Sequence, residues 1–300
     1  MTITNTPAGS SQKSLPLKSI IVCADDYGLS PAVSLGIREL AGKGRISATG
    51  AMTCMAPWPQ EAVALRDLSA HLGDRLEVGL HITLTDQQPL GEMTVLAPRE
   101  RLPSVASLIK ASLLHLLPLT EISDEINRQL TAFESHFGRQ PDFIDGHQHV
   151  HLLPGIRQAV MGLFHRRLDP ARCWLRNCGD HPYVLLRRSG LVKASVVSAL
   201  AFGFAKSAAD RGIVTNSGFS GFYDPVSASL GDQMPAMLRG MGDRSLLMLH
   251  PGHVDAALEA VDSLILSRQV EWEYLSGDAW PQLLNRQGLA LAGRGFLFSH

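Results

Sequence analysis

Carboxylates and histidines recur in this 300-residue chain just after short apolar runs. KSIIVCA (18–24) leads into Asp25 and Asp26. LEVGLHITL (76–84) carries His81. PDFID (141–145) ends on Asp145 and runs into GHQHVH, with His147, His149 and His151. SLLML (245–249) is followed by His250, Pro251, Gly252 and His253, and WLRNC supplies Arg176. Clustered histidines with a nearby carboxylate suit Zn²⁺, Fe or Ni better than the oxygen-preferring Ca²⁺. The two-histidine helix motif of zinc proteases, HExxH, is absent from the His147 region.

Each residue also has an ordinary role open to it. One of the two Asp could cap a helix. His81 could be a core histidine bonded to backbone. HQHVH could be packing: extended, its three histidines share a face, and helical, His147 and His151 are neighbours. His250 could be a ligand, a general acid or a turn-stabilising residue. Arg176 could clamp a carboxylate such as Asp25 or form an unremarkable ion pair.

The elements that must carry these residues alternate between strand and helix. Strands are expected at 18–24, 46–55, 76–84, 141–145, 173–176, 245–249 and 289–292, with mixed loop and strand over 212–223. Helices are expected at 31–42, opened by Ser30 and Pro31, and at 57–72, 104–117, 121–137, 154–168, 183–211, 264–272 and 279–286. Thr120, or else Ser123, is the expected cap of the 121–137 helix. Alternation over the whole length predicts a single-domain α/β fold, a distorted (β/α) barrel of mainly parallel strands spanning 18–300 behind a disordered leader at 1–17. In such folds the site lies at the C-terminal ends of the strands. That rule gathers Asp25, Asp26, His81, Asp145, His147, Arg176 and His250 at one edge, which periodicity alone could not do.

Composition narrows the partners. A formal net charge of −1 argues against a nucleic-acid partner, which calls for a basic patch. Four cysteines without a C-x-x-C pair predict reduced thiols and a cytoplasmic protein. The first 18 residues lack the basic and apolar regions of a signal peptide. The longest apolar stretch, 192–205, falls short of the roughly 20 residues of a membrane span, so no stable insertion is expected. It is suited instead to a core, a homodimer interface or contact with a lipid tail.

ADDYGLSPAV, GLHITLT, DGHQHVHLLPGI and LHPGHVD, in this order and spacing, resemble the YdjC/ChbG carbohydrate deacetylase family, which includes chitooligosaccharide deacetylases and a hopanoid-biosynthesis branch. The likeness runs from about residue 18 to 291. It implies a distorted barrel that removes N-acetyl groups from an amino sugar or oligosaccharide, releasing acetate, with one divalent metal ion, Mg²⁺ or Zn²⁺. Carried over by motif, Asp26, His81 and His147 become the metal ligands and Asp25 the general base, and similarity to the wider polysaccharide deacetylases makes His250 the candidate general acid. Arg176 is expected to orient Asp25 and keep it ionised, since a nearby cation lowers a carboxylate's pKa. Tyr27 stands where the family often has Phe, which leaves the ligand set intact. Other readings are a different metal-dependent hydrolase, acting on a phosphoester or amide, and a non-catalytic sugar-binding relative.

Overall fold

The computed structural model describes residues 17–180, 191–224 and 229–299. Most of the expected leader, and the 183–190 part of the expected 183–211 helix, lie outside the described residues. In chain order the strands are β1 (Lys18–Tyr27), β2 (Ala48–Ala51), β3 (Glu77–Ile82), β4 (Phe143–Gly146), β5 (Trp174–Leu175), β6 (Gly218–Ser220), β7 (Ser245–Leu249) and β8 (Leu289–Leu291). The helices are α1 (Pro31–Gly42), α2 (Trp58–Leu72), α3 (Val105–Leu113), α4 (Leu119–Phe137), α5 (Ile156–Arg166), α6 (Leu191–Leu200), α7 (Phe204–Ala209), α8 (Leu230–Leu238), α9 (Ala256–Val261), α10 (Leu266–Ser276) and α11 (Ala279–Arg286).

Every pairing among these strands is parallel, in the order β5-β4-β3-β2-β1-β7-β6, with β8 beside the start of β1. The two ends of that series meet through an isolated parallel bridge, Leu175 to Thr215. There Leu175 N–H donates to Val214 O at 2.9 Å, and Asn216 Nδ2 donates to Asn177 O at 2.8 Å. A sheet curled this far and closed by one bridge is the expected distorted barrel. Its strands are apolar without alternation because both faces are covered: β1 from Ile20 onward, β3 and β7 are buried throughout.

Local chemistry accounts for the entry into α1, where Ser30 Oγ accepts from Val33 N–H at 3.2 Å and Pro31 occupies the first turn. Neither Thr120 nor Ser123 caps α4. That helix starts earlier, at Leu119, with Pro118 in the cap position; the fixed proline φ preorganises the entry without a side-chain acceptor. The expected strand at 46–55 is only four residues long, its pairing with β1 ending at Tyr27↔Ala51. Two helices were not expected. Pro235 interrupts the apolar pattern of α8, and α9 has only six residues, started by Asp255 Oδ1 accepting from Leu258 N–H at 2.8 Å.

Leu191–Ala209 is long and apolar enough, by length and composition, to cross a membrane. In the structure it is two helices of 10 and 6 residues, broken before Gly203 at φ 70°. Val192, Val196 and Phe202 on this segment are exposed.

At the opposite end of the barrel from the strand-end histidines, Glu77 opens β3 and is buried. It accepts from Trp174 Nε1 (3.1 Å) and from Gly295 N–H (2.9 Å), fastening the C-terminal segment to the barrel floor. Burial raises its pKa from the ordinary 4.5 to about 7, with Asp142 adding to the rise and the Gly295 bond opposing it. Between those pH values the folded chain holds a proton that the unfolded chain has lost, so stability falls as pH rises through that window and stays lower above it. The expected loss is roughly 3 kcal/mol. Denaturant unfolding at pH 5 and pH 8 should show it, and Glu77→Gln should flatten the difference. An identical pH dependence in Glu77→Gln would assign the effect to other groups.

Candidate active site

Asp25 and Asp26 are adjacent in β1, and in a regular strand they would face opposite ways. A bulge prevents that. β1 pairs with β2 at Ala24↔Thr49 and next at Tyr27↔Ala51, so β1 carries one extra residue there. Asp26 sits in the bulge with φ at 68°, a left-handed conformation rare for a residue with a Cβ. Bulges of this kind re-aim side chains beside active sites. Here the bulge turns both carboxylates to the strand-end edge, and Thr49 Oγ1 braces it by donating to Ala24 O at 2.8 Å.

His81 comes from the second half of β3. Its ring lies against Gly50, where a Cβ would come within 3.1 Å of Nδ1. His81 Nδ1 donates to Asp145 Oδ1 at 2.6 Å, which leaves Nε2 facing Asp26 Oδ1 at 3.3 Å. His147 follows β4 directly and places Nδ1 2.9 Å from the same Asp26 oxygen. HQHVH is neither extended nor α-helical. It is a 3₁₀ turn over His147–Leu152 with Gln148 and His149 left-handed, at φ 52° and 60°. The three histidines therefore diverge: His147 meets Asp26, His149 packs edge-on against Phe219 and Phe222 with Nδ1 3.5 Å from Cys178 Sγ, and buried His151 lies 3.0 Å from Arg176 O.

Arg176, just past β5, is fully buried and grips Asp25 with both prongs, Nη1 to Oδ2 at 2.6 Å and Nη2 to Oδ1 at 2.7 Å. Nη2 also lies 2.9 Å from Cys23 Sγ, and 2.6 Å from Asp145 Oδ2 as an ion pair without hydrogen-bond alignment. Burial by itself would raise the Asp25 pKa, but the Arg176 guanidinium outweighs it and holds the carboxyl well below its usual range. Asp26 is likewise held low, against its burial, by His147 and Arg268. For His81, burial pulls downward, yet Asp145 and Asp25 prevail and hold the imidazole up at about 10.

Among the described residues, two groups of side chains bring ligand-type atoms within 4.8 Å of one another: Asp26, His81 and His147, and Asp25, His81 and Asp145. The second is already engaged, since Arg176 takes both Asp25 oxygens and His81 Nδ1 takes Asp145. The first fits a small divalent cation. Its 2.9 and 3.3 Å separations are those of atoms sharing one ion at bond lengths of about 2.0–2.2 Å. His81 is oriented through its other nitrogen by a carboxylate, the usual arrangement for a ligating imidazole. Charge agrees. Asp25, Asp26 and Asp145 are three buried carboxylates against the two buried guanidiniums of Arg176 and Arg268, so protons on the imidazoles or a bound cation must offset the excess. His147, its side chain 15% exposed, is the most open of the three.

His250 follows β7 at the same edge and is half-buried, with its backbone N–H held by Glu271 Oε2. The structure thus brings Asp25, Asp26, His81, Asp145, His147 and Arg176 into mutual contact, and sets His250 at the same edge through its backbone contacts to Glu271 and Arg268. Sequence reading missed Arg268, which bonds Asp26 Oδ2 at 2.6 Å, and Glu271, which also accepts from Tyr223 OH at 2.7 Å. Both sit on α10, 242 residues beyond Asp26 in the case of Arg268. No local pattern marks either one.

Fold and site together define a parallel barrel with a carboxylate–imidazole cluster at its strand ends. The chain belongs to the YdjC-like protein family, whose model matches residues 19–286. It is 30% identical over 275 residues to a chitooligosaccharide deacetylase of Proteus mirabilis (strain HI4320), covering 91% of this chain and 96% of that one. It is 31% identical over 282 residues to a protein of the same name from Serratia marcescens, covering 93% and 96%. Among solved structures, a protein from Enterococcus faecalis V583, named for a proposed role in cellobiose-phosphate cleavage, superposes with a TM-score of 0.69 at 20% identity. That match covers 92% of this chain and 97% of that one, and it speaks to the fold.

Proposed function

We propose that this chain is a divalent-metal-dependent carbohydrate deacetylase that hydrolyses the N-acetyl amide of an amino sugar or oligosaccharide, releasing acetate and a free amine. The observation that carries the reading is the convergence of Asp26, His81 and His147 on one point beside an Arg176-held Asp25. Nearly full-length relatives named chitooligosaccharide deacetylase support the substrate class. Asp26, His81 and His147 would hold the cation, Zn²⁺ or Mg²⁺. When bound, such an ion lowers the pKa of water and polarises a carbonyl.

The chain's own residues would do the rest. Asp25, kept ionised by Arg176, takes the proton from the water that attacks the acetyl carbon. His250 gives a proton to the amine nitrogen as the C–N bond breaks. Arg176 holds Asp25 in one rotamer and Asp145 holds the His81 ring, so neither has to reorganise during the reaction. We take residues 18–300 as the catalytic unit. The test is a panel of N-acetylated chitooligosaccharides and phosphoesters, scored for acetate and phosphate with Zn²⁺ or Mg²⁺ present. Acetate from the sugars alone is expected. Phosphate release would redirect the reading to phosphoester hydrolysis, and neither product would favour a binding protein.

A further inference from the structure

Among the described residues, the buried cation Arg268 has no task in that mechanism. Arg268 lies on the first turn of α10, a helix outside the barrel strands, and is 1% exposed. A positive charge there opposes the helix dipole, which favours acidic residues at that end. The first turn of α10 contains none. Arg268 spends its donors on three partners. Nη2 lies 2.6 Å from Asp26 Oδ2 and 2.6 Å from Asp262 Oδ2, Nε donates to Asp262 Oδ2 at 2.9 Å, and Nη1 reaches His250 O at 3.4 Å. Its backbone carbonyl accepts from Gly252 N–H at 3.1 Å. One turn further along the same face, Glu271 takes the His250 N–H.

We propose that Arg268 is a positioning residue for the candidate metal centre: by occupying Asp26 Oδ2 it presents Asp26 to the cation through Oδ1 alone, and it ties that ligand to the His250 loop. The inference rests on the metal-dependent reading above. Three features meet in it. The charge sits where local helix preference disfavours it, a departure typical of functional sites. Asp26 is held at a strained positive φ, a conformation that persists only where surrounding contacts over-determine it. And the same guanidinium touches both the β1 bulge and the loop after β7, two segments whose separation sets the distance from cation to proton donor. Asp262, partly exposed, is the outer anchor of the clamp.

The test is calorimetric titration of the metal-free full chain with Zn²⁺, and in parallel with Mg²⁺, for the parent, Arg268→Lys and Asp262→Asn. Lysine keeps the charge but cannot bridge both aspartates. Arg268→Lys is expected to weaken the metal Kd by about 10–100-fold. Asp262→Asn should move it the same way by less, and its milder change keeps the test alive if Arg268→Lys does not fold. Melting curves of the metal-free proteins separate this from a merely structural role, which would lower the midpoint and leave Kd in place. Folded variants with the parent's Kd would overturn the proposal and leave the metal reading standing. A parent that binds neither ion would overturn both.

Discussion

Asp25→Asn is expected to fold, to bind its metal with the parent's stoichiometry, and to lose about 10²–10⁴-fold in turnover, the usual contribution of a positioned proton-transfer group. Asparagine preserves the volume that Arg176 and Cys23 close around, and Asp145 Oδ2 remains 2.6 Å from the guanidinium to balance its charge. The centre Asp26–His81–His147 does not draw on Asp25, so occupancy should survive. What disappears is the one anionic oxygen pair beside the trio that is free of metal duty and held ionised by a bidentate arginine. Acetate release from an N-acetylated chitooligosaccharide, measured with metal content on the same sample, decides the matter. Near-normal turnover would remove Asp25 as the base.

The second large effect is expected on the metal itself. His147→Ala and His81→Ala each delete one of three donors, so the Kd should weaken by more than the roughly 10–100-fold typical of losing an outer partner. Elemental mass spectrometry after dialysis should then find little metal in either variant. His147→Ala is the cleaner experiment, because His147 is partly exposed and its removal leaves no buried partner except Asp26, still held by Arg268. His81→Ala also strands Asp145 Oδ1 in the interior, where an unpaired carboxylate oxygen is costly. Its melting point should fall along with its occupancy. Full metal in either folded variant would sink the ligand assignment.

These two predictions differ in how much of their basis was readable before folding. The strands that carry Asp25, Asp26 and His81 or lead into His250 were legible as buried apolar runs, and β7 was expected at the residues it occupies. The rule that parallel α/β sites lie at strand ends then grouped the right residue types. Local patterns do not choose among three histidines in five residues. The 3₁₀ turn with two left-handed residues makes that choice by sending His147 toward Asp26 and His149 and His151 elsewhere. Likewise, adjacency of Asp25 and Asp26 implies opposed side chains, and only the one-residue bulge against β2 brings both to the same edge.

Apolar runs, capping residues such as Ser30, and the ordered motifs that mark family membership are properties of short stretches, and so the chain displays them before any contact forms. Asp26, His81 and His147 as a set of residue types belong to that legible part. The roles of Arg268 and Glu271 do not, because a helix 242 residues away has no local reason to hold Asp26. Their burial depends on how α10 packs against α1, α8 and α11. The separation of Asp25 from Asp26, one gripped by Arg176 and the other shared among two imidazoles and Arg268, is likewise decided by long-range charge pairing that only the closed barrel brings within reach.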